Sequence, residues 1–289
     1  MKILVRRKSI PTLHKIDSVK SWMKHTHTPR VRNKKEVNMI TDSFDNSDVF
    51  ISPERLYPRN SVTLDVCIGI FSHKVMNELI SSGVLTELPM EKAPGSASGK
   101  HAVYRYKDTS IGIYQNEVGA VGASGLIEEI SVIFGVKKFI IFGSCGALVQ
   151  IPEGDCIIPT HAYRDEGVSY HYASASDYIS VKNANVIAKL FDELGVEYVF
   201  GKTWTTDCFY RETVNQKNKR VEEGCVCVEM ECAALQAVTN FRGYELYQFL
   251  YTADDLSKLE WAPRILGDNE RDTRFLYFDI AVKLAKSLL

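Results

Sequence analysis

Two glutamates stand close together in residues 225–235, CVCVEMECAAL, where an apolar run gives way to an alanine-rich segment. The pattern predicts a buried strand that ends near residues 228–230 and a helix that begins close to Glu231. A helix N-terminus favours an ionised carboxylate, so capping accounts for one of the two, Glu229 or Glu231. Binding also suits the pair, because two carboxylate oxygens can accept hydrogen bonds from a vicinal diol such as the hydroxyls of a ribose. Both interpretations remain open.

A glycine-rich turn follows another apolar run. Residues 142–148, FGSCGAL, place Gly143 and Gly146 on either side of Ser144. Small residues at such a turn let backbone N–H groups approach an anion. The segment matches neither the P-loop nor the dinucleotide-binding fingerprint, so a tight turn without a ligand is the alternative.

Aromatic and acidic residues follow two further apolar runs. Phe209 and Tyr210, in TTDCFYRET, either stack on a planar heterocycle or close the base of a loop. Asp254 and Asp255, in TADD, either include a general acid with a raised pKa or serve as turn and cap residues.

These residues belong to a regular alternation of strand-like and helix-like segments that begins near Val62. The alternation predicts one α/β domain over residues 61–289, with a central mixed, largely parallel sheet flanked by helices. Ligands of such sheets bind at the carboxyl ends of the strands, where the candidate residues stand.

Composition restricts the partners. The chain of 289 residues has a formal net charge of -1 and an isoelectric point near 6.7, which favours neither nucleic acid nor a membrane surface as a partner. It contains neither a membrane-spanning stretch nor a signal-peptide block, so we expect a cytoplasmic protein. The seven cysteines lack metal-ligand spacing, and we expect no metal site.

Residues 1–60 are predicted to be a basic N-terminal extension. Residues 1–40 hold eleven lysines and arginines against two acidic residues and lack a sustained apolar period. A solvated arm, a transit-type segment and a contact to a neighbouring subunit are the interpretations that this composition allows.

The order of the motifs is more specific than any one of them. VEMECAAL, preceded by TTDCFY, by GDCIIPTHAYRDEG with SYHY and by FGSCGAL, resembles the nucleoside phosphorylase family of the uridine phosphorylase and bacterial-type purine nucleoside phosphorylase kind. The resemblance covers roughly residues 62–289, and DEGVSYHY is nearer to the uridine phosphorylase branch. It implies a pentosyltransferase that cleaves the N-glycosidic bond of a (deoxy)ribonucleoside with phosphate, giving free base and (deoxy)ribose 1-phosphate.

The resemblance also implies roles for residues that would bind the nucleoside. Glu231 would bind the ribose hydroxyls, with Glu229 beside it, and Met230 would pack against the sugar. Phe209 and Tyr210 would stack on the base.

Further roles concern the phosphate and the leaving base. Gly69, Gly143 and Ser144 would face the phosphate and the ribose. Asp254 would protonate the base at N7, as an aspartate does in purine-specific members, with Asp255 as the alternative.

The chain departs from the family pattern at the phosphate. Ile141 stands where phosphorylases usually carry a phosphate-binding arginine, two residues before the glycine of the turn. GIFSHK replaces the usual Gly-Asp-Pro loop and its arginine, so Lys74 or His73 would take that role, without the bidentate fork of arginine. A neighbouring subunit's arm or one of three arginines could also supply the cation: Arg105, Arg164 or Arg211.

The missing arginine leaves two alternatives to a phosphorylase. One is a nucleosidase that hydrolyses the same bond with water, and the other is a catalytically inactive nucleoside-binding protein on the same fold. The uracil-recognising residues of the family would fall near Thr213 and Asn215, which leaves the base open. The resemblance implies a homo-oligomer, a dimer or a hexamer, with inorganic phosphate as co-substrate and no cofactor.

Overall fold

The computed structural model of the chain describes residues 39–96, 99–258, 260–264 and 271–289. Residues Met39–Leu289 form one compact unit. Residues 1–38, which make up most of the predicted basic extension, lie outside the described residues. The division of the chain between residues 60 and 61 therefore stays a prediction.

Strands and helices alternate along the described part of the chain. Its strands are β1 (Val66–Ile70), β2 (Leu85–Glu87), β3 (Gly95–Ser96), β4 (Gly99–Lys100), β5 (Val103–Tyr106), β6 (Ile111–Gln115), β7 (Lys138–Ala147), β8 (Cys156–Asp165), β9 (Tyr178–Ser180), β10 (Tyr198–Thr206), β11 (Cys225–Glu229) and β12 (Glu245–Asp255). Its α-helices are α1 (Pro53–Leu56), α2 (His73–Ser81), α3 (Ala120–Phe134), α4 (Ser169–Tyr172), α5 (Ala184–Leu194), α6 (Val214–Glu222), α7 (Cys232–Arg242) and α8 (Arg271–Ser287), and 3-10 turns span Ile40–Asp42 and Phe209–Arg211.

The main sheet has the strand order β11, β10, β8, β12, β7, β1, β6, β5, β2, with β9 on β8. Five pairs at its centre are parallel, namely β1 with β6, β1 with β7, β12 with β7, β10 with β8 and β10 with β11. Antiparallel pairing joins β2, β5 and β6 at one edge and β9 to β8. The predicted mixed, largely parallel sheet flanked by helices is confirmed.

Part of this sheet closes on itself. β11 pairs with β7 in antiparallel fashion through Cys227 and Val228, and β12 pairs with β8 in the same sense through Leu250 and Tyr251. As a result β7, β12, β8, β10 and β11 form a closed ring, and the remaining strands extend from β7 as an open sheet.

Both faces of the open sheet are buried, as a parallel sheet requires. On β1, Val66, Ile68 and Ile70 pack into the core that α2, α5 and α8 cover. Cys67 points the other way, into the core formed with α3 and the Leu235 side of α7. Of the helices that the structure describes, none combines the length and the hydropathy needed to cross a bilayer.

Gly69 lies where three of these strands meet. A Cβ on Gly69 would be 2.7 Å from Cδ1 of Ile141 on β7 and 2.8 Å from the hydroxyl of Tyr114 on β6. Both side chains are 0% exposed, so neither can move away without displacing its own neighbours. The absence of a side chain at Gly69 is what lets β1 fit between these two residues.

Gly69→Ala should lower the free energy of unfolding by about 1–3 kcal/mol, because the added methyl overpacks this junction. The matched control is Gly125→Ala in α3, where a Cβ would meet nothing within 4 Å. That change should leave stability unchanged or raise it, since alanine is the better helix former. Urea denaturation compares the two variants, and equal stability would contradict the packing described for Gly69.

Candidate active site

The carboxyl ends of β7, β11 and β12 meet around small residues of β7. The predicted glycine-rich turn is wrong here, because β7 continues through Gly143, Ser144 and Gly146 to Ala147. Ser144 is exposed although its neighbours along β7 are buried. Gly146 pairs with Val228 of β11 and with Asp254 of β12. A Cβ on Gly146 would lie 3.1 Å from Cγ1 of Val228 and 3.2 Å from Oδ1 of Asp254, so Gly146 lies directly between the two strand ends.

Glu229, the last residue of β11, is buried and fully hydrogen-bonded. Its Oε2 accepts hydrogen bonds from the backbone N–H groups of Glu231 at 2.8 Å and Cys232 at 2.7 Å. Its Oε1 accepts hydrogen bonds from the hydroxyls of Thr203 at 3.2 Å and Thr205 at 2.5 Å. Glu229 is therefore the residue that caps α7 and ties the helix to β10.

Glu231 occupies the N-cap position of α7, yet its side chain makes no capping bond. Its Oε1 accepts a hydrogen bond of 2.6 Å from the N–H of Gly119, in the loop before α3. Burial, followed by the negative charge of Glu229, raises the pKa of Glu231 to about 8. Of the two glutamates that could cap the helix, Glu229 is the one that does so, and burial rather than the helix end determines the direction of the pKa shift of Glu231.

The residues predicted to contact the sugar and the base are accessible. Met230 is half-buried between the two glutamates. Phe209 and Tyr210, in the 3-10 turn after β10, are 50% and 87% exposed. Their ring centroids are 4.0 Å apart at a tilt of 42°. These rings lie outside the core, and their stacking on a base stays a prediction.

Asp254 and Asp255 differ in role. Asp255 is buried, and its carboxylate accepts hydrogen bonds from Nη2 of Arg264 at 2.7 Å and from the N–H of Ser257 at 2.8 Å. Hydrogen bonds from Ser257 and the nearby guanidinium lower the pKa of Asp255. Asp254 accepts a hydrogen bond of 2.8 Å from Nε1 of Trp261, and burial raises the pKa of Asp254. Asp255 is thus a structural anchor, whereas Asp254 has the properties expected of an acid.

The predicted phosphate residues share a corner of the sheet that apolar side chains fill. Gly69 faces Ile141, as described above, and a Cβ on Gly143 would lie 3.0 Å from the ring of Phe71. Ile141, at the position of the family arginine, belongs to the core beneath α3. Of the three small residues Gly69, Gly143 and Ser144, Ser144 alone is exposed, and their phosphate roles stay predictions.

Lys74 lies apart from this corner, in the first turn of α2. It lines a groove of about 710 Å³ between α2 and α8, together with Arg274. Among the described residues that line this groove, Lys74 is the only predicted phosphate-binding residue. For Lys74 to bind the phosphate, the ligand would have to contact both this groove and Ser144 of β7. A phosphate role for Lys74 stays a prediction.

Arg164 already has a structural role. It is 3% exposed, and its guanidinium lies 4.0 Å from the ring centroid of Tyr170. Nε donates to Oγ of Ser169 at 2.8 Å, Nη1 to the carbonyl of Ser174 at 2.6 Å and Nη2 to the carbonyl of Ala173 at 3.1 Å. All three nitrogens bind α4 or the loop that follows it, so Arg164 does not replace the missing arginine.

Three residues that the sequence motifs do not predict also belong to the candidate site. Gly119, with a φ of 95°, supplies the N–H that binds Glu231. Asp207 and Glu212 flank the aromatic pair in TTDCFYRET. Their position after a strand is the sequence feature that could have identified them as site residues. Burial, followed by the charge of Asp254, raises the pKa of Glu212 to about 7. The site is thus richer in carboxyl groups than the motifs alone indicate.

A metal centre has no support in the described part of the chain, where no three His, Cys, Asp or Glu residues are grouped to hold an ion. The cysteines are free thiols, and Cys208 alone is exposed. The residues at the carboxyl edge are instead suited to a small polar organic ligand.

A helix-flanked mixed sheet with carboxylates at its carboxyl edge defines an α/β domain, and those carboxylates form its candidate site. The family model of the phosphorylase superfamily matches residues 66–272, and the chain belongs to that superfamily. The resemblance to nucleoside phosphorylases is thereby confirmed.

Relatives and solved structures agree with this assignment. The purine nucleoside phosphorylase DeoD-type of Alkaliphilus metalliredigens is 30% identical over 155 residues, which are 52% of this chain and 66% of that relative. The corresponding protein of Bacillus cereus is 27% identical over the same length and share. The match thus spans just under two thirds of these relatives. The crystal structure of AMP nucleosidase from Bacteroides thetaiotaomicron has a TM-score of 0.61 at 13% identity, covering 78% of this chain and 89% of that one. This likeness shows the fold.

The two glutamates should respond differently to substitution. Glu229→Ala should lower the free energy of unfolding by roughly 2–4 kcal/mol, because it leaves buried N–H and hydroxyl groups without an acceptor. Glu231→Gln should cost far less, because it removes a carboxylate whose ionised form is penalised by burial. Urea denaturation at neutral pH measures both.

The pH dependence of stability provides the second half of this test. Since the pKa of Glu231 rises from 4.5 to about 8 on folding, the folded state holds a proton that the unfolded chain releases within that window. The contribution of Glu231 to the free energy of unfolding therefore falls as the pH rises from 4.5 to about 8. The slope should be shallower in Glu231→Gln, and an unchanged slope would contradict the assignment.

Proposed function

We propose that the protein cleaves the N-glycosidic bond of a purine nucleoside, with inorganic phosphate as co-substrate and no other cofactor. The observation that carries the proposal is the division between Glu229 and Glu231. Glu229 meets the needs of the helix end through four hydrogen bonds. The side chain of Glu231 makes no capping bond to the helix, and it accepts a hydrogen bond from Gly119 that a sugar diol can replace.

The sugar would be held by the carboxylate of Glu231. Cleavage of the C1′–N bond develops positive charge on the sugar, and an anion beneath C1′ both stabilises that charge and attacks the carbon. Two ribose hydroxyls donating to Glu231 would stabilise its ionised form and so lower its raised pKa on binding. Orientation of the sugar by this clamp supplies part of the rate enhancement.

The base would leave between Asp254 and the aromatic pair. A purine anion is a poor leaving group, and a carboxyl with a raised pKa is suited to donate a proton to it. Asp254 has this property, and the relatives in the comparison are named as purine nucleoside phosphorylases. These two facts favour a purine over the uracil that DEGVSYHY would indicate.

Hydrolysis of the same bond is the second candidate, and one observation favours it. Ile141 is fully buried against Gly69 and Tyr114, so this position offers phosphate no charge. Arg164 is engaged elsewhere, as shown above. The solved AMP nucleosidase shares the fold. Water as the nucleophile would need no phosphate-binding cation.

The assembly and location belong to the proposal as well. We expect a homo-oligomer, a dimer or a hexamer, that acts on small molecules in the cytoplasm without binding nucleic acid or membrane. Sedimentation of the purified full-length chain would measure the oligomeric state.

A nucleoside panel assayed with and without phosphate tests the proposal. Base release should require phosphate and yield ribose 1-phosphate, and Glu231→Gln should reduce kcat/KM by about 100-fold or more because the sugar is no longer oriented. The matched control is Glu193→Gln, which changes an exposed carboxylate of α5 whose side chain is 60% exposed. It should retain full activity.

Two outcomes would count against a phosphorylase, and a third would count against the role of Glu231. Release of base and free ribose without phosphate would support the nucleosidase. Binding without turnover of any nucleoside would support the inactive binding protein. Normal activity of Glu231→Gln would refute the sugar clamp.

Asp254→Asn should slow cleavage of purine nucleosides by about 10²–10⁴-fold, because the variant has no proton to give to the leaving base. Pyrimidine nucleosides, which lack the N7 position, should be far less affected. The comparison variant is Asp255→Asn, which should chiefly lower thermal stability because it weakens the ion pair with Arg264. Equal losses for both kinds of base would argue against Asp254 as the acid.

A further inference from the structure

The chain turns back over Asp254 after β12 ends. The backbone N–H of Asp255 donates to the carbonyl of Ala262 at 2.9 Å, and the N–H of Ala262 donates to the carbonyl of Asp255 at 3.1 Å. This two-way pairing brings Trp261 beside Asp254, where indole Nε1 donates a hydrogen bond of 2.8 Å to Oδ2. We call residues 256–258 and 260–264 the return loop.

Asp255 fixes this loop from within. Its carboxylate binds Nη2 of Arg264 at 2.7 Å, and Nη1 of the same guanidinium donates to the carbonyl of Ile151 at 3.0 Å. At the start of the loop, the N–H of Leu256 donates to the carbonyl of Ala147 at 2.8 Å. The loop is therefore attached at both ends of its described part, and the position of Trp261 is set by hydrogen bonds rather than by packing, since its side chain is 57% exposed.

The two oxygens of Asp254 are not equivalent. Oδ2 is occupied by the indole N–H. Oδ1 lies over Gly146, where a Cβ would be only 3.2 Å away. In a neutral carboxyl the carbonyl oxygen is the stronger hydrogen-bond acceptor, so a donor at one oxygen favours the proton on the other.

We propose that Trp261 is a positioning residue for the acid Asp254: the indole N–H holds Oδ2 and thereby places the transferable proton on Oδ1, on the side that faces Gly146 of β7. The inference rests on the proposed function for its chemical meaning. The proton passes from Oδ1 to a ring nitrogen of the purine while the electrons of the C1′–N bond pass to the base, and Asp254 becomes a carboxylate. The indole hydrogen bond then becomes charge-assisted and stabilises the product state of the acid.

Charged groups around Asp254 decide how its proton responds to pH. Burial raises the pKa of Asp254, the hydrogen bond from Trp261 and the charge of Arg264 lower it, and the charge of Asp255 raises it. Glu212, which follows β10, interacts electrostatically with Asp254. The buried thiol of Cys145 on β7 also interacts electrostatically with Asp254. Removal of the indole donor removes a stabilising contact of the ionised form, so the pKa of Asp254 should rise further.

Trp261→Phe tests the proposal in the intact chain. A general acid is active while it is protonated, so the alkaline limb of the rate profile should move to higher pH, by about one unit. With a purine nucleoside kcat should fall about tenfold, and KM should change little. The matched control is Trp204→Phe, which removes another indole–carboxylate bond, the 2.9 Å bond to Asp165. It should leave the alkaline limb in place. An alkaline limb that does not move in Trp261→Phe would overturn the proposal.

A measurement without substrate separates this inference from the proposed function. The emission attributable to Trp261, taken as the difference between the parent chain and Trp261→Phe, should change with pH as the hydrogen-bonded carboxyl ionises. The change should disappear in Asp254→Asn. If this titration is seen and no nucleoside is cleaved, the pairing of Trp261 with Asp254 stands and the proposed reaction fails. A pH-independent difference, or one that persists in Asp254→Asn, would overturn the pairing itself.

Discussion

The buried N-terminus of α7 is the constraint on which the rest of the site depends. A helix end presents N–H groups that have no acceptor within the helix, and burial makes each unpaired group costly. Glu229 meets this requirement from the end of β11, and Thr203 and Thr205 of β10 satisfy its other oxygen. Because one carboxylate satisfies the helix, the next one along the chain, Glu231, can point away from it toward the loop at Gly119.

The same separation of tasks occurs at the end of β12. Successive residues of a strand point to opposite sides, so two adjacent acids cannot share one environment. Asp255 points toward Arg264 and holds the return loop, whereas Asp254 points toward the indole of Trp261 and Gly146 of β7. In each acidic pair, the hydrogen bonds of one carboxylate fix the local backbone, and that backbone positions the other acidic residue.

Local periodicity explains what could be predicted from the sequence. The apolar runs predicted the sheet and the start of α7 close to Glu231. The sequence could not show which glutamate caps α7, because the hydroxyls that complete the cap come from β10. Nor could it show that Ile141 is locked by Gly69 and Tyr114, since that contact needs three strands in register. The partner of Asp254 was equally hidden, because Trp261 reaches it only through the pairing of Asp255 with Ala262.

The closed ring has a consequence for the order in which the protein folds. Cys227 of β11 pairs with Ala147 of β7, so the ring closes only when segments some 80 positions apart in the chain come together. Contacts of such long sequence separation form slowly, whereas neighbouring elements such as β5 and β6 can pair at once. Glu229 is the last residue of this closing strand, and Glu231 follows two residues later. A nascent chain can therefore bury much of its apolar surface before the carboxylates are in place, and competence to bind a sugar should be one of the last properties that it acquires.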